Sequence, residues 1–272
     1  MNIFGKNSSQ KEWQNQISRV DPDICINHKY GKSWGMFPVV QATIDAMQHF
    51  SAFNYDYLIN LTGQCYPLKS IAKIKKTLAG KKSAFMNAHQ IPYAAYGGSG
   101  ELDRIKYSYY RNPIMDLRDW ARNTAHKGKH YESRYLLRLT KFQTNLPYNL
   151  RPYTGSAYFC ITKNHVNYIL NFLSKRPELL KFYKNSFASD EMVFNTILAN
   201  SKFKDTIIND NLRYIDWSKP GEYRLSPAVL TTDDADKLSK SQALFARKFD
   251  TSKDPKILDL IDKYRNAEHA KI

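Results

Sequence analysis

A strand, a turn and an amphipathic helix follow one another between residues 55 and 80, and this succession restricts the possible folds more than any other feature. The segment 55–61, YDYLINL, has the residue types that favour strands. It ends at a turn that contains Gly63 and Pro67. Apolar residues then recur at helical spacing over 68–80, and Gly80 is suited to ending that helix.

The same alternation continues along the chain. Strands are further predicted at 23–28, 83–88, 104–111, 155–162 and 211–217, and helices at 37–50, 163–173, 189–201 and 255–267. Alternating strands and helices predict an α/β fold, with helices around a mixed sheet, and we expect one domain over 1–272. Such sheets bind ligands beyond the carboxyl ends of their strands, so the turns after 55–61, 155–162 and 211–217 are where chemistry is expected.

The chain is strongly basic, which indicates an anionic partner. Its 272 residues contain 41 Lys and Arg against 25 Asp and Glu, a formal net charge of +16. Such a surplus suits nucleic acid, a phosphorylated small molecule or a membrane face. The lysines are spread along the chain and no nucleic-acid-binding motif occurs, which weakens the first of these.

The cysteines and motifs give no sign of a bound metal or a familiar nucleotide loop. Cys25, Cys65 and Cys160 are widely spaced and form no C-x-x-C pair, which excludes common zinc sites and favours a reducing compartment. Neither a P-loop nor a dinucleotide-binding glycine motif in its strand–helix context is found.

Two Asp-x-Asp pairs are the remaining metal candidates, because such pairs can hold Mg²⁺ or Mn²⁺ under a nucleotide diphosphate. Asp21 and Asp23 precede a strand rather than ending one. Asp234 and Asp236 begin a predicted surface helix, where the N-terminal dipole favours acids in any case. Both pairs are therefore interpreted as having no metal role.

No targeting or spanning segment is found in the sequence. The first residues lack the apolar centre of a signal peptide, and no run of about 18 apolar residues occurs. We expect a cytoplasmic protein, with peripheral attachment to an anionic inner membrane through basic residues as an open possibility.

The segment SDEMVFNTIL, 189–198, places two acids at the start of an apolar helical pattern. Acids in a first helical turn are common, and Ser189 is a suitable N-cap. The reciprocal capping box is absent, because Met192 occupies its third position. Spacing alone favours capping, and leaves a catalytic role for Asp190 or Glu191 as the alternative.

The segment LFARKFD, 244–250, places Arg247 and Lys248 between two phenylalanines. Adjacent residues of an extended segment face opposite ways, so one of the two cations can face a cleft. Two cations near a leaving diphosphate neutralise developing charge as a metal does elsewhere. A solvated basic pair beside core phenylalanines is the simpler interpretation of these residues alone.

Six segments, taken together and in order, resemble the core-2/I-branching glycosyltransferases. The segments are 30–47 with its Trp-Gly, 55–70, 154–170 with GSAYF, 189–203 with the two acids, 212–217, and 244–250. The resemblance implies a GT-A-like mixed sheet flanked by helices. It also implies an inverting, metal-independent reaction that uses a UDP-sugar, usually UDP-N-acetylglucosamine or UDP-xylose.

The resemblance also implies roles for individual residues. Glu191 occupies the place of the catalytic base, which deprotonates the acceptor hydroxyl, while Asp190 is assigned mainly to the helix start. The donor is assigned to Lys248, Arg247 and Arg224; the acceptor side to Trp217, Asp190, Arg104 and Lys106; and further cleft positions to Gly63, Gln64, Gly155 and Ser156. No cofactor and no metal are expected.

Three departures from the family pattern are visible. Cys65 stands where the family usually has Asp, so a contact made by that acid is lost or replaced. Ala188-Ser189 stands in place of Ser-Pro before the acids. The segment NIFGKNSS, 2–9, resembles the family's second strand, which implies that a first strand and helix, and with them part of the nucleotide site, are missing.

These observations predict a bacterial member of the family that builds a surface polysaccharide or lipid-linked glycan at the inner membrane face. Its expected partners are a UDP-sugar, a glycan or lipid-linked glycan acceptor and an anionic membrane, without nucleic acid. The alternative is a catalytically inactive relative that binds an anionic partner. A nucleic-acid-binding protein is the third possibility.

Overall fold

The computed structural model describes residues 35–111, 136–141, 144–218 and 226–269. The predicted strand at 23–28, the Asp21–Asp23 pair, Cys25 and the stretch 2–9 lie outside these residues, and so does Arg224.

The described residues form two compact units. The first unit takes in the described parts of Met1–Phe50, His89–Gly155 and Ile169–Ser201, and the second those of Ser51–Ala88, Ser156–Tyr168 and Lys202–Ile272. The single domain over 1–272 stays a prediction.

The secondary structure alternates between short strands and helices. In chain order the strands are β1 (Tyr57–Ile59), β2 (Tyr66–Pro67), β3 (Ala84–Met86), β4 (His89–Gln90), β5 (Tyr107–Arg111), β6 (Leu136–Thr140), β7 (Tyr153–Thr154), β8 (Phe159–Thr162), β9 (Ile207–Ile208), β10 (Arg213–Ile215) and β11 (Phe245–Arg247). The α-helices are α1 (Pro38–Phe50), α2 (Ile71–Leu78), α3 (Leu102–Lys106), α4 (Lys163–Lys175), α5 (Glu178–Tyr183), α6 (Val193–Ala199), α7 (Ala235–Lys240) and α8 (Lys256–His269).

The second unit contains the two larger sheets. One has the strand order β1-β8-β3-β9, with β9 parallel to β3 and the other pairs antiparallel. The other has the order β10-β11-β2, with β10 and β11 parallel. Both sheets are therefore mixed, which confirms the prediction of an α/β fold with mixed sheets, while the closer GT-A comparison stays a prediction.

Helices cover these sheets through two apolar clusters. Ile74 and Leu78 of α2 pack with Phe85 of β3 and Cys160 of β8. The helix expected over 68–80 begins at Ile71, because the Ser70 hydroxyl accepts a hydrogen bond from the Lys73 amide at 3.2 Å and caps it. The second cluster joins α7 and α8 to β11 and consists of Leu68, Leu230, Ala235, Leu238, Ala246, Phe249, Ile257 and Ile261.

The Asp234–Asp236 pair has the helix-terminal role that the sequence predicts. The Asp234 carboxylate accepts a hydrogen bond from the Thr231 amide at 3.1 Å, and the two residues form a capping box. Asp234 is buried at the start of α7. This pair is therefore part of a helix end.

The first unit has a buried helix at its centre. Every residue of α6 is buried. The Thr196 hydroxyl lies 3.2 Å from the Tyr183 hydroxyl and accepts a hydrogen bond from the Tyr153 amide at 3.1 Å. Two short ladders, β4–β7 and β5–β6, complete the unit. Because α6 is enclosed on all sides, the residues just before it have a rigid support.

The prediction of a strand over 104–111 is half wrong. Residues 102–106 form α3, and the strand β5 begins only at Tyr107. The alternation in RIKYSYYR hides a five-residue helix that is too short to show a helical period.

Within the described ranges, no helix has the length and apolar content needed to cross a bilayer.

Candidate active site

The two acids lie on a turn before α6. Residues Ser189–Glu191 form a 3-10 turn, and the Glu191 amide donates to the Ala188 carbonyl at 3.0 Å. Ala188 has the left-handed φ of 50°. The Ser189 hydroxyl is buried without a hydrogen-bond partner among the described residues. Ser189 is therefore not a side-chain cap, and that interpretation of the sequence is wrong.

Gly35 contacts this turn through its backbone. Its carbonyl accepts a hydrogen bond from the Ala188 amide at 2.7 Å. Gly35 has a φ of +68°, and a Cβ at this position would lie 2.6 Å from Cε2 of Phe187. Both the backbone conformation and the close approach require glycine. The Trp-Gly segment thus contacts the acid-bearing segment through Gly35.

Asp190 and Glu191 differ in their surroundings although they are adjacent. Asp190 is partly exposed as a residue, but its Oδ1 is buried and has no hydrogen-bond partner among the described residues. Burial, and secondly the Glu191 charge, raise the pKa of Asp190 to about 7. Asp190 makes no side-chain cap bond at this turn, and both its structural role at the helix start and its assignment to the acceptor side stay predictions.

Glu191 is held by Arg104. The Arg104 Nη1 donates to the Glu191 Oε2 at 2.6 Å, and the Glu191 side chain is 35% exposed. Arg104 also forms an ion pair with Glu101 through its Nε, and its guanidinium lies 5.7 Å from the centre of the Phe187 ring. Burial raises the pKa of Glu101 even though Arg104 opposes that effect. The arginine therefore fixes two carboxylates, of which Glu191 is the more accessible.

Two other residues assigned from the resemblance belong to the same unit. Gly155, which follows β7, is buried and donates its amide to the Glu191 carbonyl at 3.0 Å. Lys106 ends α3 with an exposed side chain. The structure thus brings Glu191, Arg104 and Gly155 together, and places Lys106 at the surface two residues after Arg104.

In the second unit, the cationic pair lies at the end of β11. The Arg247 guanidinium lies 4.7 Å from the centre of the Tyr158 ring, and its Nε is buried without a hydrogen-bond partner among the described residues. Lys248 is only 8% exposed, and its carbonyl accepts a hydrogen bond from the Leu230 amide at 2.8 Å. Lysine is rarely so buried. Lys248 is thus poorly hydrated, whereas Arg247 is only partly buried, and low hydration strengthens the attraction of a cation for an anion that reaches it.

The turn after β1 lies beside the segment after β11. The Phe249 amide donates to the Gln64 carbonyl at 3.0 Å. A pocket here is lined by Gly63, Gln64, Cys65, Tyr66, Phe249, Asp250, Thr251 and Leu258. The Cys65 thiol accepts from the Thr62 amide at 3.5 Å, so sulfur closes this turn at the position where the family pattern has a carboxylate.

The other residues that the resemblance assigns to the site lie on different segments of the chain. The Ser156 hydroxyl accepts a hydrogen bond from the Tyr158 amide at 3.2 Å, just before β8. Trp217 follows β10 and is 63% exposed. Arg224 lies outside the described residues. That Glu191, Trp217, Arg224 and Lys248 line one cleft stays a prediction.

Comparison with known proteins decides the family. The model of the family described as Core-2/I-Branching enzyme matches residues 5–239. The chain belongs to this family. The match extends from before the Trp-Gly segment through Glu191 and Trp217, and it ends before Arg247 and Lys248.

Several curated proteins are similar to this member of the Core-2/I-branching family. A beta-glucuronosyltransferase of Arabidopsis thaliana, GlcAT14B, is 33% identical over 43% of this chain and 27% of its own length. A mouse N-acetyllactosaminide beta-1,6-N-acetylglucosaminyl-transferase is 25% identical over 84% of this chain and 55% of its own length. Rat xylosyltransferase 1 is 20% identical over 92% of this chain and 30% of its own length. The chain thus spans between about a quarter and just over half of these relatives.

Sequence reasoning missed Glu101 as a neighbour of the Core-2/I-branching site. Glu101 and Arg104 are three residues apart, which is the spacing of an ion pair on a helix. The prediction of a strand over 104–111 hid this signal. The aromatic residues that precede Glu101 were missed as well, because none of the six segments that carry the resemblance includes them.

No group of three or more His, Cys, Asp or Glu residues that could hold a metal ion occurs in the part of the chain that the structure describes. Metal independence stays a prediction.

Proposed function

We propose that this protein is an inverting glycosyltransferase that moves a sugar, N-acetylglucosamine or xylose, from a UDP-sugar to a hydroxyl of a glycan acceptor. Family membership and the names of the relatives support transfer of a sugar. The observation that carries the proposal is the placement of Glu191, an accessible carboxylate held at 2.6 Å by Arg104 on a rigid turn.

In this proposal Glu191 is the general base. Arg104 occupies Oε2, which leaves Oε1 to accept the proton of the acceptor hydroxyl. As that proton leaves, the acceptor oxygen forms a bond to the anomeric carbon of the donor. The bond from that carbon to the UDP oxygen breaks on the opposite face, so the configuration inverts. The products are the extended glycan, UDP and a protonated Glu191.

The cations of the second unit act on the leaving group. UDP departs with additional negative charge on its terminal phosphate, and positive groups that meet this charge lower the barrier. Lys248, which is buried, and Arg247, which is partly buried, are assigned this role because both lie at the end of one strand. Arg224 is assigned to the same task. Paired cations can supply the charge that a metal ion supplies in other glycosyltransferases, which is the basis for proposing a metal-independent reaction.

The acceptor and the place of the reaction follow from chemistry and charge. We propose a glycan or lipid-linked glycan acceptor at the cytoplasmic face of an anionic membrane. The net charge of +16 supports this, because basic surfaces are held near anionic lipids.

A single conservative substitution tests the base. Glu191→Gln keeps the size of the side chain and an oxygen for Arg104, but it cannot take a proton. We expect kcat for transfer from UDP-N-acetylglucosamine or UDP-xylose to fall roughly 100- to 10,000-fold. Affinity for UDP, measured by calorimetry, should be unchanged.

Glu101→Gln is the matched control, because Glu101 is the other carboxylate on Arg104. This variant should retain most of its kcat. An equal loss in both variants would mean that the carboxylates act only by orienting Arg104. Normal transfer by Glu191→Gln would show that the base is another group. UDP binding without transfer by the unmodified chain would favour the non-catalytic binder.

A further inference from the structure

Three aromatic rings form a compact cluster in the first unit, outside all the residues discussed so far. The rings of His89 and Tyr93 are stacked, with centroids 4.1 Å apart and planes 6° apart. Tyr96 meets Tyr93 edge-on at 5.1 Å and His89 at 6.3 Å. Tyr96 is 47% exposed, so one end of the cluster is open to a ligand.

The loop that carries this cluster is fixed by its own backbone. The Tyr93 amide donates to the Gly100 carbonyl, and the Gly97 amide to the Ala94 carbonyl, each at 2.9 Å. Gly100 has a φ of +60°, and a Cβ there would lie 2.8 Å from the Tyr93 nitrogen. Because the loop closes this tightly, the rings are organised before any ligand binds, which lowers the entropic cost of binding.

Two chains of contacts join the aromatic cluster to Glu191. His89 pairs with Thr154 across β4–β7, and the next residue, Gly155, donates to the Glu191 carbonyl. On the other side, Gly100 is followed by Glu101, which shares Arg104 with Glu191. The carboxylates of Glu191 and Glu101 act on Tyr96 as well, since together with burial, the largest cause, they raise the pKa of its hydroxyl.

We propose that His89, Tyr93 and Tyr96 form a platform on which a neutral hexopyranose ring of the acceptor stacks, next to Glu191. The C–H face of a pyranose packs on an aromatic ring much as other apolar groups do. The inference rests on the proposed function, since it places the sugar whose hydroxyl Glu191 deprotonates. Tyr96 presents the exposed ring, and Tyr93 and His89 hold it in place.

The charge around the aromatic cluster favours a neutral sugar over the UDP-sugar donor as its ligand. Among the described residues, the ionic groups that act on Tyr96 are Glu101, Arg104 and Glu191, which sum to one negative charge. A diphosphate would be repelled here, whereas the hydroxyls of a neutral sugar can donate hydrogen bonds to carboxylates. Burial lowers the pKa of His89, which favours the neutral form of its ring.

Saturation-transfer NMR on the full chain tests the platform without requiring turnover. The probes are methyl β-galactopyranoside, N-acetyllactosamine and UDP. We expect both sugars to bind, and Tyr96→Ala to weaken their binding about tenfold, while Tyr96→Phe retains it. UDP should bind equally to all variants. Tyr148→Ala is the matched control, because Tyr148 has the same 47% exposure in the same unit but lies outside the cluster.

The outcomes separate the platform from the proposed function. If the protein has no transferase activity but binds sugar in a Tyr96-dependent way, the platform is supported and the proposed function is contradicted. If the protein transfers sugar and Tyr96→Ala leaves the KM for the acceptor unchanged, the proposed function is supported and the platform is contradicted. Absence of sugar binding by the unmodified chain, an equal loss in Tyr148→Ala, or a Tyr96-dependent UDP signal each overturns the platform as well.

Discussion

Asp190 and Glu191 are neighbours in the chain, yet the Asp190 Oδ1 is buried without a hydrogen-bond partner among the described residues, whereas the Glu191 side chain is 35% exposed. The sequence places both acids before an apolar helix and predicts that one caps it. The difference between them arises from Ala188, whose left-handed φ of 50° rotates the turn so that Asp190 Oδ1 is buried. Alanine gives no sequence signal for this conformation, so the distinction could not be read from residue types alone.

The environment of Asp190 predicts an unusual pH dependence of stability. Its pKa is raised to about 7 from 3.8, so the folded state binds the proton more tightly than the unfolded state. The free energy of unfolding should therefore fall as pH rises between about 4 and 7. Asp190→Asn removes the charge and should stabilise the protein above pH 7, by at most roughly 4 kcal/mol, with little gain at pH 4. Urea unfolding across this range measures the effect.

Asp250 is the control for this prediction, because the pKa of its carboxyl is shifted in the opposite direction. Hydrogen bonds from Ser252 lower the pKa of its carboxyl, so its contribution to stability is present at neutral pH and is lost as pH falls through that lowered pKa. Asp250→Asn should therefore cost more at pH 7 than at acid pH. If the two variants share one pH profile, the burial of Asp190 is not the cause.

At the scale of elements, long periodic segments were predictable and short ones were not. The helix expected at 37–50 is α1, Pro38–Phe50, and the terminal helix expected at 255–267 is α8, Lys256–His269. By contrast, α3 has five residues, and Glu101, the residue before it, has a φ of 74°. A helix this short is determined by its contacts rather than by its own pattern. Arg104, which orients Glu191, lies on this element.

β10 joins the two sheets of the second unit through one side chain. Arg213 is buried and donates to the carbonyls of Asn60, at 2.7 Å, and Phe159, at 3.1 Å. These carbonyls follow β1 and begin β8. Its guanidinium also lies 5.8 Å from the centre of the Tyr158 ring, on which Arg247 packs. We therefore expect Arg213 to hold the strand ends near the cationic pair.

Arg213→Met should lower the free energy of unfolding by roughly 1–3 kcal/mol, because the part-buried Asn60 carbonyl and the buried Phe159 carbonyl both lose the Arg213 donor, although the Phe159 carbonyl still accepts from the Asn60 amide. Arg213→Lys should lose less, since one ammonium can still reach one carbonyl. Chemical denaturation gives both values. Lys237→Met, at a 58% exposed side chain, is the reference and should change stability by less than about 0.5 kcal/mol. A comparably small effect of Arg213→Met would contradict the bridging role.

At the scale of the whole molecule, the net charge of the chain gives the most direct prediction about its binding partner. The net charge of +16 predicts an anionic partner, and in the proposed function that anion is a UDP-sugar. The sequence could indicate the family because six segments keep their order. It could not indicate which acid or ring faces a ligand, since that depends on contacts between distant segments such as Gly35 with Ala188.

Binding of UDP should weaken as salt rises. We expect the affinity to fall roughly tenfold between low and high ionic strength, because screening reduces the attraction between phosphates and the basic chain. Uridine, which has the same base and ribose without the phosphates, should show almost no salt dependence. Calorimetry compares the two. An equal salt response would contradict the electrostatic account, and salt-dependent binding of DNA without UDP binding would favour the nucleic-acid alternative.

The pairing of β2 with β11 has a consequence for the order in which a nascent chain can fold. Tyr66 pairs with Ala246, and its hydroxyl donates to Asp262, so the contacts of β2 form only after residues about 180 to 200 positions further along the chain have been synthesised. The partners of the acid-bearing turn, from Gly35 to Arg104 and Gly155, are all synthesised before residue 201. During vectorial synthesis, all segments of the first unit are therefore available before β10 and β11, the two strands that complete the sheet of β2, have been made.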